Sequence, residues 1–266
     1  MPEPLLLLNR DRDVATLTFN DAGRLNAMTR AMGEAFAAEI AEISRDSSLR
    51  ALILTGAGRA FSAGGDLDMI DERVRDGRAG RHAENVDTMR AFYGLFLTLR
   101  ELPCPTLAAI NGAAIGAGFC VALACDVRIA SESAALGLNF TALGLHPGMG
   151  ATWTLPRLVG PAHAAELLYS SRTLTGTEAA AISLVNRAVP RDAVLPATCE
   201  MAAAFAANAP LANRGVKRAL AHSPSASLDE QLDLEAEIQA GTFATEDAAE
   251  GLAAVRAKRP PHFKGR

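Results

Sequence analysis

Two glycine-rich bends hold the residues best suited to do chemistry. One is Ala63-Gly64-Gly65-Asp66-Leu67, which follows the apolar run Ala51 to Thr55; the other is Gly116-Ala117-Gly118, which follows the run Thr106 to Ile110. Glycine lets the main chain approach a ligand closely, and the first turn of a helix presents N–H groups that lack an intrahelical acceptor and carry partial positive charge. Each bend ends a strand-like run, so two strand ends of one sheet can aim main-chain donors at a single oxygen. That arrangement stabilises the negative charge that develops on a carbonyl oxygen.

Other readings of these stretches are weaker. Pro105 to Cys125 is apolar enough to suggest a membrane span, but Asn111 and three glycines interrupt it, and Asp126 and Arg128 close it. A dinucleotide fingerprint needs a third glycine, whereas Gly116-Ala117-Gly118 runs on into Phe119-Cys120-Val121. Ser62 follows a strand, but Ala60 stands where a nucleophile elbow requires glycine. A tight core turn that binds nothing remains the bland alternative for either bend.

The elements that must position these bends read as alternating strands and helices. Leu5 to Asn9 and Val14 to Asn20 suit a β-hairpin with its turn at Arg10 to Asp13. Thr29 offers a cap for a helix to Arg45 whose Met32, Phe36, Ile40 and Ile43 recur at helical spacing. An apolar helix is expected from Phe119 to Cys125. Beyond Gly160 the chain turns to alanine-rich helices, at 162–169, 176–183, 192–208, 211–222, 228–240 and 245–257. The 266 residues carry 49% hydrophobic side chains and a formal charge of −4, with Lys217, Lys258 and Lys264 the only lysines. That balance speaks against a nucleic-acid surface. Four cysteines without a C-x-x-C pair, and no signal-peptide pattern, read as a reducing, cytoplasmic setting.

Four ordered motifs carry a resemblance: Arg24 to Met28 (RLNAM), Ala51 to Leu67, Ile110 to Asp126 and Gly144 to Gly160. Through them the chain resembles the crotonase superfamily, the enoyl-CoA hydratases and isomerases, over nearly its whole length. The resemblance implies an α/β fold, the ClpP/crotonase-like spiral of ββα units, over residues 1–200, with a C-terminal helical trimerisation region over 201–266. It implies an acyl-CoA thioester as substrate, no cofactor beyond the coenzyme A of that substrate, no metal, and a homotrimer or hexamer. Carried onto this chain, the two oxyanion amides fall on Gly65 and Ala117. Arg24, Ala27, Ala63, Gly64, Asp66 and Leu67 would line the coenzyme A site, Phe140 and Gly148 the acyl site, and Lys264 would reach a neighbouring subunit's coenzyme A.

One departure from the family pattern is informative. The two glutamates of family hydratases match Cys120 and Phe140 here, and no Asp or Glu occurs between Leu102 and Cys125 or between Ser133 and Ala165. The aspartate of dienoyl-CoA isomerases would fall near Gly148. Each missing acid–base group removes about 10²- to 10⁴-fold in rate, so ordinary hydration is not expected from these positions. The replacements on offer are His146, suited to proton transfer near neutral pH, and Cys120, whose apolar neighbours Phe119 and Val121 equally suit an inert buried thiol. Asp68, Asp71, Glu72, His82, Glu84 and Asp87 form a polar stretch that either supplies an acid or makes a solvated helix face. A non-catalytic acyl-CoA carrier or sensor is the alternative function.

Overall fold

The structure, a computed structural model, describes residues 3–266. It opens with strands β1 (Leu6–Asp11) and β2 (Val14–Phe19), paired antiparallel with Leu6 opposite Phe19 and Asp11 opposite Val14. The first strand runs two residues further than its apolar pattern indicates, because Arg12 takes φ 53° and tightens the turn. Helix α1 (Arg30–Arg45) starts where Thr29 accepts a hydrogen bond from the Met32 amide at 3.0 Å, and its predicted stripe of Met32, Phe36, Ile40 and Ile43 is buried.

Three ββα units follow. The first comprises β3 (Ala51–Gly56), β4 (Ala60–Ser62) and α2 (Leu67–Arg78), with α3 (His82–Leu97) added behind it. The second comprises β5 (Thr106–Ile110), β6 (Ala113–Ile115) and α4 (Ala117–Ala124). The third comprises β7 (Val127–Ser131), β8 (Leu136–Gly137) and α5 (Ala151–Ser170). The first strand of each unit joins a six-stranded sheet of order β1-β2-β3-β5-β7-β10, parallel from β2 onward, in which β10 is Arg187–Val189. The second strand of each joins a smaller sheet of order β4-β6-β8-β9, with β9 at Thr173–Leu174. Repetition of the unit therefore winds the chain as a spiral, and it stacks the three bends that follow β4, β6 and β8 along one side.

The main core lies between the large sheet and α1, α3 and α4. Phe19 stacks on Phe36 at 5.6 Å and meets Phe61 edge-on at 5.8 Å, and Phe36 lies 5.7 Å from Phe96. The other face of the sheet is covered too: Ala51, Ile53, Leu107 and Ala109 pack with Val194 and Ala202 of α7 (Val194–Ala206). A strand buried on both faces needs no alternation, which is why β3 and β5 are continuous apolar runs. The expected division of the chain at residue 200 falls inside α7. Helices α8 (Pro210–His222), α9 (Leu228–Phe243) and α10 (Glu246–Ala257) follow, with α6 (Gly176–Ala181) lying earlier, beside β9 and β10.

The polar stretch after Asp66 forms two helices, α2 and α3, whose Asp68, Asp71, Glu72, His82, Glu84 and Asp87 are exposed, the solvated helix face of the two readings; the helices are joined where buried Asp76 pairs with Arg73 at 2.9 Å and with Arg81. Helix α5 begins at Ala151 rather than Ala162; it carries Pro156, and it is broken at Gly160 (φ 77°, ψ 166°), after which Pro161 starts the second half. Among the described residues no helix is long and apolar enough to cross a membrane.

Candidate active site

The segment Leu25 to Met28 builds the first bend. The Ala63 amide donates to the Leu25 carbonyl at 2.9 Å, the Met28 amide to the Gly64 carbonyl at 2.7 Å, and the Asp66 amide to the Met28 carbonyl at 3.4 Å. Because Gly64 and Asp66 both pair with Met28 on one side, the N–H of Gly65 between them points to the other. Below the bend, buried Asn26 (φ 56°) ties three chain segments. Its side-chain nitrogen donates to the carbonyls of Ala57 (3.0 Å) and Ala60 (2.9 Å), and its side-chain oxygen accepts from the Asp21 amide (2.9 Å). Ser62 completes the support: its hydroxyl donates to the Asn26 carbonyl at 2.7 Å and accepts from the Gly64 amide at 3.1 Å.

The second bend is set by Gly116, at φ 51° and ψ −121°, a conformation closed to residues with a side chain. Helix α4 starts at Ala117, two residues earlier than its apolar run indicates, so the Ala117 N–H lies in the first turn with no intrahelical acceptor. The two bends are in contact. A Cβ placed on Gly64 (φ 95°) would lie 2.5 Å from the Ile115 carbonyl oxygen and 3.6 Å from the Ala117 nitrogen. Only glycine permits that approach.

Gly65 and Ala117 both border a cavity of about 440 Å³. Ala63, Gly64, Leu67, Phe140, His146 and Gly148 from the predicted set line it as well. Arg24 and Asp66 pair with each other and line a second cavity of about 840 Å³, which shares Met69, Arg73, Met89 and Phe92 with the first. Asp66 also caps α2, accepting from the Met69 amide at 3.1 Å. Ala27 lines neither cavity; it is buried, its amide donating to the Arg24 carbonyl at 3.2 Å. Lys264 is also elsewhere in this chain, its amide held by Asp247 at 2.6 Å in the C-terminal region.

No carboxylate lines the smaller cavity among the described residues. Asp68, Glu72 and Asp87 face the larger one, and Asp71 pairs with Arg75, so none of the polar stretch supplies an acid beside the bends. Asp126 holds the Thr106 amide (2.7 Å) and hydroxyl, and pairs with Lys217 at 3.0 Å. Cys120 sits one turn into α4 with its thiol 3.7 Å from the Gly148 carbonyl oxygen, and burial pushes it up to about 12. Burial thus favours the neutral thiol over the thiolate that a base would require. His146 is exposed at the rim.

Burial pushes Cys125 up to about 12 as well. Both thiols have an ordinary value of 9.0, so above about pH 9 the unfolded chain releases protons that the folded chain keeps. Stability from the two neutral thiols is complete below pH 9 and is lost as pH rises toward 12, by about 1.4 kcal/mol per unit for each. Urea unfolding at pH 8 and pH 10 is expected to show that fall, and replacing both cysteines by alanine should flatten it.

Several residues that border the cavity escaped the motif reading, among them Arg73 on α2, Tyr93 and Met89 on α3, and Asn139 beside Phe140. The spacing Met89, Phe92, Phe96 marks a buried stripe on α3, and Tyr93 lies at its edge. That stripe was the available signal.

A spiral of ββα units with two touching glycine bends beside an apolar cavity defines a crotonase-type α/β protein. The family model for enoyl-CoA hydratase/isomerase matches residues 9–266, and the chain belongs to that family. A 1,2-epoxyphenylacetyl-CoA isomerase of Escherichia coli (strain K12) is 36% identical, with 98% of each chain covered. A 2,3-dehydroadipyl-CoA hydratase of the same strain is 34% identical over 98% of this chain and 99% of that protein. The crystal structure of enoyl-CoA hydratase from Bacillus anthracis matches with TM-score 0.89 at 35% identity, covering 99% of this chain and all of the other.

Proposed function

We propose that the chain binds an acyl-CoA thioester with its carbonyl oxygen between the Gly65 and Ala117 amides, and acts as a hydratase/isomerase-type enzyme on the enolate those amides stabilise. The contact between the two glycine bends carries this reading, because it leaves both N–H groups beside one apolar cavity. Coenzyme A enters as part of the substrate, along the side of Arg24, Ala63 and Asp66. With Cys120 and Phe140 in place of the hydratase glutamates, proton transfer falls to the polar side chains the cavity does hold, His146 at its mouth among them.

The C-terminal region 201–266 is assigned to assembly as a trimer or paired trimers. Helix α9 buries none of its residues in the single chain, and Leu228, Leu232, Phe243, Leu252 and Val255 are exposed on α9 and α10. In such an assembly Lys264 would face a neighbour's coenzyme A.

The absence of a carboxylate from the cavity lining favours a second reading, a carrier or sensor that binds acyl-CoA without turnover. Incubation with crotonyl-CoA and longer trans-2-enoyl-CoAs, followed spectroscopically and by calorimetric titration, separates the two. Turnover supports the enzyme; tight binding without turnover supports the carrier; no binding of either kind defeats both.

A further inference from the structure

Tyr93 brings a hydroxyl to the cavity close to Gly148 and Phe140. A Cβ on Gly148 would lie 2.5 Å from its hydroxyl oxygen, and Gly148 in turn accepts the Cys120 thiol, so the hydroxyl sits beside the position of the first replaced acid. Phe140, at the position of the second, lines the same cavity. Tyr93 is half-buried, and its hydroxyl makes no hydrogen bond to the protein among the described residues. Of the cavity's other polar side chains, His146 lies exposed at the rim, and Arg73 is engaged with Glu72 (2.6 Å), Asp76 (2.9 Å) and Asn85 (3.2 Å). Asn139 is an amide, unable to exchange a proton near neutral pH.

We propose that Tyr93 is a catalytic residue, a neutral hydroxyl that relays one proton during addition of water across the α,β double bond of an enoyl thioester. The proposal rests on the acyl-CoA reading above. A phenol both accepts and donates, so a single group can serve where hydratases use two. The water oxygen forms its bond to Cβ, and the π pair moves into the enolate held by the Gly65 and Ala117 amides. The water's proton passes to the Tyr93 oxygen as the original phenolic proton passes to Cα, where the enolate pair forms the new C–H bond and the thioester carbonyl is restored. Tyr93 ends protonated and uncharged, and the only reactant consumed is water.

Burial, and next the neighbouring Cys120, push the Tyr93 hydroxyl above its ordinary value, which keeps it in the protonated form that the relay requires. A relay through a neutral phenol predicts a rate that does not rise as pH approaches the ordinary tyrosine range, unlike catalysis by a phenolate base.

The test is Tyr93→Phe beside the parent protein, assayed on crotonyl-CoA and longer trans-2-enoyl-CoAs, with calorimetric binding of a saturated acyl-CoA. The ring is kept and only the hydroxyl removed, so binding and KM are expected to hold while kcat falls about 10²- to 10³-fold. The parent's kcat is expected to be level from neutral pH to the ordinary tyrosine range. A variant kcat within a few-fold of the parent's overturns the relay, and so does a parent rate that climbs with phenolate formation. Acyl-CoA binding without turnover by the parent overturns the relay and leaves the binding reading standing. Absence of binding overturns both.

Discussion

Ala117→Pro is expected to leave the chain folded and to lower turnover of an enoyl-CoA about 10²- to 10³-fold, the cost of one lost oxyanion donor. Proline removes the N–H and places its ring where the donor pointed. The position should tolerate it. Ala117 is the first residue of α4, where the amide has no intrahelical partner to lose and the fixed φ suits the helix. Gly116 at φ 51° and ψ −121° is the mirror image of the extended conformation that proline favours in its predecessor, and glycine, being achiral, occupies it freely. The Cys120 amide keeps its bond to the Gly116 carbonyl at 3.0 Å. Steady-state kinetics with urea unfolding as the control makes the measurement; parental kcat in the folded variant would remove Ala117 from the proposed hole.

Asn26→Ala is expected to destabilise the protein by about 3 kcal/mol. The substitution strands the Ala57 and Ala60 carbonyls and the Asp21 amide, and buried groups of this kind cost about 1–3 kcal/mol each when left unpaired. Water entering the space vacated by the amide would recover part of that sum. Alanine is also less at ease than asparagine at φ 56°. Ser62 bonds the main-chain carbonyl of Asn26, which alanine keeps, and so still holds the Gly64 amide; acyl-CoA affinity of the folded variant is expected to change little. A loss of under about 1 kcal/mol in urea unfolding would mean that main-chain bonds, such as that of the Asn26 amide to the Asp21 carbonyl at 2.8 Å, suffice to hold these segments.

The parts of the fold and site that were legible share a physical origin. Strands β3 and β5 announced themselves as unbroken apolar runs because both faces of the sheet are covered, and the two bends because only glycine allows the backbones to touch. The Thr29 cap and the α1 stripe were legible because they are local. The far wall of the cavity was not. Tyr93, Met89 and Arg73 belong to helices whose outward faces are charged, and periodicity tells which stripe of α3 is buried without telling which cavity its edge borders. The first half of α5 was hidden by Pro156 and the Gly160-Pro161 pair, which read as loop although the helix resumes on either side. Lys264 shows a different limit: its proposed partner lies on another subunit, and nothing within the chain draws it toward the bends.

The break at Gly160 partitions α5 mechanically. Residues 151–159 extend from the Gly148-Met149 end of the cavity wall and are seated by Ala151 and Leu155, whereas the second half is anchored separately by Ala164 and Leu167. With the hydrogen-bond ladder interrupted between them, the two halves need not share an axis, so the end of the cavity wall is aligned by where Ala151 and Leu155 dock, independently of the seat of Ala164 and Leu167.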